Sequence, residues 1–225
     1  GSYNSGGELI SFDKTRDIAF VGGYTFGSVN GVPTIGNGDP NGANQYLIAR
    51  NETNGSILWT RMENWVRSNI VVQESEDAIY FVDKGNLEKI SGSTGKQIWS
   101  KQIDNAQYVL SKAFDGGILL AKQNSTNEII VKIFDKNGSE KKSQTINHTG
   151  SASLQNITDK GDGILLVSGR TTGEVNLEKG IKKINNPGSG NDSFLLKIES
   201  SFSQKLKGNI IEDKNALSTS FDGFE

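Results

Sequence analysis

Asn54-Gly55-Ser56-Ile57-Leu58-Trp59-Thr60 and Thr94-Gly95-Lys96-Gln97-Ile98-Trp99-Ser100 are two copies of one pattern, with their tryptophans 40 residues apart. Each is a tight glycine turn that opens a short run ending in tryptophan. A third copy, Asn137-Gly138-Ser139-Glu140-Lys141-Lys142, keeps the turn and has lysine at the tryptophan position. Ser200-Ser201-Phe202-Ser203-Gln204-Lys205-Leu206 is a fainter fourth. Self-similarity at a fixed spacing marks a stacked repeat architecture.

Working outward, each turn follows a β-rich run: Tyr46–Arg50, Leu87–Ser91, Ile129–Asp135 and Phe194–Ile198. Earlier still come Ile18–Gly22, Ala78–Val82, Gly117–Ala121 and Gly163–Ser168, each entered from a turn rich in Asp and Gly. Short alternating or apolar runs bounded by Asn, Asp, Gly and Ser are strand signals. The unit is therefore four strands, in spans of 8–64, 65–104, 105–148 and 149–208. Units one and four are lengthened by insertions at 25–44 and 171–191, between their second and third strands. No helix-length amphipathic segment interrupts them, so the chain is all-β. Near the end, Asn215-Ala216-Leu217-Ser218-Thr219-Ser220-Phe221-Asp222-Gly223 repeats the pattern of Tyr108–Gly116, which predicts an extra first strand over 214–221.

Tandem four-stranded units of this length predict an antiparallel β-propeller, or a segment of one, of about four blades plus the extra strand. The segment from Ile79-Tyr80-Phe81-Val82 through Thr94-Gly95-Lys96-Gln97-Ile98-Trp99 resembles PQQ-like propeller repeats. Units one and four are similar to the SBBP-type bacterial propeller repeat. The matching pieces are Gly23-Tyr24-Thr25-Phe26-Gly27, Gly169-Arg170-Thr171-Thr172-Gly173 and Asn191-Asp192-Ser193-Phe194-Leu195-Leu196-Lys197-Ile198. The resemblance implies an interaction module of a secreted or cell-surface bacterial protein, with the periplasm as another location. It implies no cofactor, since no quinone-enzyme active-site pattern accompanies the repeats.

Composition narrows the function classes. The chain has 225 residues, 34% of them hydrophobic, with 27 glycines, which suffices for a packed core. Its 24 basic and 26 acidic residues are spread along the chain, which argues against a nucleic-acid surface or a basic membrane patch. No run of residues is long and apolar enough for membrane insertion. Zero cysteines exclude thiol chemistry and disulfides, and a single histidine excludes multi-histidine metal sites.

Catalytic readings are weak. His148 lies in Asn147-His148-Thr149-Gly150, read as a turn, and no Gly-x-Ser-x-Gly elbow accompanies it. Asp17, Asp77 and Asp162 precede repeated strands and would serve a propeller hydrolase only if they ringed the axis. Their turn positions explain them more simply. The chain is read as a non-enzyme with no catalytic residues. Calcium is a minor expectation, because Gly36–Asn44 and Asn185–Asp192 are rich in oxygen donors but carry one carboxylate each.

Trp59 and Trp99 are expected to pack between adjacent blades. Trp65, in the connection between units one and two, is expected on the same face as the two insertions. Tyr24 and Phe26 lead into the first of these. The candidate ligand-binding residues are therefore Tyr24, Phe26, Asp39, Trp65, Asn185 and Asp192, on a face built by loops 25–44 and 171–191. Protein or carbohydrate is the expected ligand. A rigid scaffold within a larger protein is the alternative, and an incomplete ring would favour self-association.

Overall fold

The computed structural model describes residues 5–33, 44–63, 68–114, 116–124, 128–149, 152–161, 164–171, 176–177 and 192–199. All are strand, turn or loop apart from one turn of 3-10 helix at Glu74–Glu76. The strands form four antiparallel sheets in chain order. Blade 1 is β1 (Ser5–Asp13), β2 (Ile18–Thr25), β3 (Asn44–Asn51) and β4 (Ile57–Glu63). Blade 2 is β5 (Val71–Gln73), β6 (Ala78–Asp83), β7 (Asn86–Ser91) and β8 (Gln97–Gln102). Blade 3 holds β9 (Val109–Lys112), β10 (Ile118–Asn124), β11 (Glu128–Phe134) and β12 (Glu140–Thr149). Blade 4 is described for β13 (Ala152–Asp159), β14 (Ile164–Thr171) and β16 (Asp192–Glu199).

Every connection within a blade joins strand neighbours, which is the up-and-down meander of a propeller blade. The first strands lie nearest one another, β1 beside β5, β5 beside β9 and β9 beside β13, so they line the axis. Two regions differ from expectation. The short strand β15 (Asn176–Leu177), inside the fourth blade's insertion, pairs with the end of β12 in blade 3. His148 consequently stands in β12 opposite Leu177, and not in a turn. The fainter repeat at 200–206 and the strand expected at 214–221 lie outside the described residues.

Alternation along each strand gives every blade two apolar faces. A core layer fills the space between each successive pair of blades. Phe20, Leu47 and Ala49 of blade 1 meet Ile79, Phe81 and Ile90 of blade 2. Tyr80, Val82 and Leu87 meet Leu110, Ile118, Leu120 and Phe134. Leu119, Val131 and Ile133 meet Ile157, Leu165 and Val167. Each blade therefore has a front face, toward the preceding blade, and a back face, toward the following one.

The two tryptophans clamp successive blades. Trp59 Nε1–H donates to the Gly92 carbonyl of blade 2 at 2.8 Å, and its ring lies 6.0 Å from Phe20. Trp99 Nε1–H donates to the Lys136 carbonyl of blade 3 at 3.0 Å, and its ring meets Tyr80 at 5.8 Å. A bulge at one position puts both rings in the same place. Arg50 faces Ile57 and Ala49 faces Trp59, so Leu58 is skipped. Ile98 and Lys141 are skipped at the same point in blades 2 and 3. The register makes Lys142 the true counterpart of the tryptophans.

Blade 2 has a second clamp. Lys89 stands where blades 1 and 3 have Ala49 and Ile133, and is buried with them. Its ammonium donates to Glu76 Oε2 at 2.6 Å and to the Lys136 carbonyl at 3.0 Å, and sits 5.3 Å from the Tyr80 ring. A buried cation persists when such partners replace its water.

Candidate functional site

Antiparallel pairing puts the second-to-third-strand loops and the blade-to-blade connections at one end of the sheets. The first-to-second-strand hairpins sit at the other end. Cavities open among the described residues of the first end.

The first cavity is made by the start of the blade 1 insertion. Thr25, buried, caps it: Oγ1 donates to the Gly27 carbonyl and accepts the Gly27 N–H, both at 3.1 Å. Val29 and Val32 then exchange backbone hydrogen bonds at 3.0 and 2.9 Å around Asn30-Gly31, whose φ values of 50° and 79° suit an Asn-Gly hairpin turn. Asn30 Nδ2 ties this small hairpin to Thr60 Oγ1 at 3.1 Å. Between it and Tyr46, Ile48 and Arg50 of β3 lies a hollow of about 550 Å³. Tyr24 and Phe26 meet edge to face at 6.4 Å at the end of β2, with Phe26 38% exposed, and neither lines the hollow.

A second cavity, of about 270 Å³, lies between blades 1 and 2 and is lined by Tyr46, Glu63, Ser68, Asn69 and Phe81 among others. Glu63 is buried, and burial pushes its carboxyl up from the usual 4.5 to about 6. The Arg61 guanidinium, 2.6 Å away, pulls it back down, whereas Asp83 and Glu88 push it further up. The folded chain thus holds this proton more tightly than the unfolded chain. The resulting stability is fully present below about pH 4.5 and is lost as pH rises through about 6. We expect Glu63→Gln to remove about 2 kcal/mol of pH dependence between pH 4.5 and 7, read by chemical denaturation at both pH values. An unchanged profile would show that another group supplies it.

The third cavity, about 1120 Å³, lies at the axis between the starts of the first strands of blades 2, 3 and 4. Gln107, Gln123, Gln155 and Asn156 line it with Ser68, Ser153 and Tyr108. Asn69 fixes the blade 2 side with both ends of its amide, donating to the Leu110 carbonyl at 2.9 Å and accepting the Leu110 N–H at 2.8 Å. Gln123 Oε1 accepts the Leu154 N–H at 3.2 Å across blades 3 and 4. Lys122 brings a buried cation whose ammonium donates to Asp104, and Asp104 also accepts the Tyr108 hydroxyl. Burial pushes the Asp104 carboxyl up, but the bonds from Lys122 and Tyr108 outweigh it and leave it below the usual range. Burial, then Asp104, push the Tyr108 hydroxyl up, so it stays a donor.

Of the residues expected on this face, Tyr24 and Phe26 come together. Asp39, Trp65 and Asn185 lie outside the described residues. Asp192 opens β16 opposite Thr171, with its side chain outside the description. Sequence reasoning missed the axial amides and Glu63. Gln107 precedes β9, Gln123 lies near the end of β10 and Gln155 lies within β13, and glutamine in or beside a strand leaves no mark in the sequence.

Asp17 and Asp77 sit at the opposite end of the sheets. Both are left-handed turn residues, with φ of 52° and 50°. Asp77 is engaged by Ser91 Oγ at 2.9 Å, by Ser93 N–H and Oγ at 2.8 and 2.6 Å, and by Arg16 at 3.4 Å. They hold turns and do not face the axial cavity, and Asp162 lies outside the described residues. Among the described residues, no three His, Asp or Glu side chains are placed to hold a metal ion. Most of the two oxygen-rich loops falls outside them. No described helix is long and apolar enough to cross a membrane.

No protein-family model and no curated protein matches the sequence. Solved structures similar in fold include hydrazine synthase, BamB and the Cps50 propeller domain. Hydrazine synthase from Kuenenia stuttgartiensis is 12% identical with a TM-score of 0.49, over 84% of this chain and 65% of that one. BamB from Moraxella catarrhalis is 13% identical with a TM-score of 0.41, over 77% and 62%. The β-propeller domain of Cps50 (Swd1) from Myceliophteria thermophila is 11% identical with a TM-score of 0.40, over 80% and 86%. The chain thus spans less than two thirds of the first two. At TM-scores below 0.5 these likenesses carry no argument about function. The propeller rests on the chain's own strand order.

Proposed function

We propose that the chain is a non-catalytic binding module, taking a polar ligand on the loop face of a bacterial protein that works outside the cell. The observation that carries the reading is the axial cavity. Its glutamine, asparagine and serine side chains present donors and acceptors of no fixed sign, which suit sugar hydroxyls and peptide groups. The one cation there, Lys122, is matched by Asp104 and gives the site no strong preference for anions. At the same end of the sheets, Tyr24 and Phe26 of blade 1 offer apolar rings of the kind that stack on sugar faces or seat a peptide side chain. Asp39, Trp65, Asn185 and Asp192, from the rest of that face, complete the set to be tested. The extracellular setting is supported by the likeness of units one and four to the SBBP-type repeat.

The test is retention of the chain on oligosaccharide and peptide arrays, with titration calorimetry of each hit. Gln155→Ala and Phe26→Ala should each weaken a retained ligand by about tenfold, worth about 1.4 kcal/mol. Their melting temperatures should stay close to that of the unaltered chain, since both side chains sit at the rim. Failure to retain any arrayed saccharide or peptide, or hits indifferent to both substitutions, would overturn the reading.

A further inference from the structure

We propose that the front face of blade 1 is a docking surface for the back face of blade 4 of a second copy of this chain, joined head to tail. The pairings align the blades residue by residue. Ile10 opposes Val21 as Ile70 precedes β5 beside Phe81, as Leu110 opposes Leu120 and as Ile157 opposes Val167. Ile70, Leu110 and Ile157 are buried by the blade in front of them, but Ile10 is 65% exposed. The back of blade 4 shows the complement. Leu195 takes the place of Leu47, Leu87 and Val131, all buried by the following blade, and is also 65% exposed. Both surfaces are therefore built as blade interfaces, and among the described residues they do not cover each other.

Two further features mark the blade 1 turn as an interface. Gly95 and Gly138 each form a cup filled by the tryptophan of the preceding blade, with the ring 2.7 and 3.2 Å from a would-be Cβ. Gly55 is the same residue of the blade 1 turn, with the same left-handed φ of 71°, and nothing lies within 4 Å of its would-be Cβ. The blade 1 turn is shaped to receive a preceding blade. Lys197 on the back of blade 4 takes the position of Lys89, whose ammonium reaches the turn of the next blade at Lys136. The matching turn residue of blade 1 is Glu52, whose backbone carbonyl is the counterpart of the Lys136 carbonyl, while its carboxylate is held by Lys14 of the same blade. Front-to-back packing joins blades three times within the chain, so the cognate of the blade 1 front is a blade back. Among the described residues, blade 4 carries a back that is open. Such a contact is heterologous, and repeats into a closed ring or a filament. It is independent of any ligand on the loop face.

The experiment is light scattering coupled to size exclusion for the unaltered chain and for Ile10→Glu and Leu195→Glu. The unaltered chain should run at multiples of 24.3 kDa that grow with concentration. Each variant alone should be a monomer, because one half of every contact is blocked. An equal mixture should form a dimer, since one variant keeps an intact back and the other an intact front. A monomeric unaltered chain at all concentrations would overturn the proposal. So would a Leu195→Glu variant that still self-associates, or a mixture that stays monomeric. Circular dichroism checks the fold, and Ile10→Ser with Leu195→Ser repeats the mixture should either glutamate variant unfold.

Discussion

Replacing Trp59 with alanine is expected to lower stability by about 3 kcal/mol and the melting temperature by about 6–12 °C. The ring is half-buried, which places the loss at the low end for a large aromatic. Two terms make it up. The first is the void left between Phe20 and the blade 2 turn that the indole covers. The second is the Gly92 carbonyl, which loses its indole donor at 2.8 Å. Trp59→Phe should restore much of the packing but not the hydrogen bond, and fall about 1 kcal/mol short of the parent. Trp99→Ala should cost less than Trp59→Ala, because its bond to Lys136 lies nearer solvent. Thermal and urea denaturation of the three variants measure this directly. A Trp59→Ala midpoint equal to that of the parent would sink the clamp.

Gly95→Ala is expected to cost about as much, roughly 3 kcal/mol, by the opposite route. A methyl there would stand 2.7 Å from Trp59 Cδ2, in the rigid part of the indole, so the ring or the turn must move. The left-handed φ of 67° adds about 1–2 kcal/mol of backbone strain. Gly55→Ala isolates the strain alone, since its φ is nearly the same and its surroundings are open. It should cost only about 1 kcal/mol. In a Trp59→Ala background the cost of Gly95→Ala should drop to the Gly55 value, because the two residues share one contact. Equal costs for Gly55→Ala and Gly95→Ala would show that the cup is not filled.

These pairs show where sequence reading stops. Alternation and turn residues sufficed for the strands, because a half-buried sheet imposes its period of two on every strand. The Gly-to-Trp motif was legible as a unit, yet its physics joins two units: the glycine of one blade receives the tryptophan of the blade before it. The bulges at Leu58, Ile98 and Lys141 were hidden, since an unpaired residue leaves no mark in a run that stays β-prone. Nothing in the sequence marks Lys89 as buried, and only the register sets it against Ala49 and Ile133. The Asn30-Gly31 turn went unread, because Val29 and Val32 form too short a pair to read as a hairpin. At the candidate site, Tyr24 and Phe26 were singled out because aromatics beside an insertion stand out. The axial amides were not, because glutamine at a strand end carries no local signature and gains meaning only when several strands converge. Asp17 and Asp77 were correctly read as turn residues, from the preference of aspartate for left-handed and side-chain-bonded turns.

The central claim is that successive sheets are locked front to back by an aromatic of one blade seated on a glycine of the next. Nuclear Overhauser contacts from the Trp59 and Trp99 indole protons test it most directly. The account predicts contacts from Trp59 to the Gly95 Hα protons and from Trp99 to those of Gly138, with those Hα resonances moved upfield by the rings and the Gly55 Hα resonances left at ordinary positions. Indole contacts confined to residues of the tryptophan's own blade, with all three glycines alike, would contradict it.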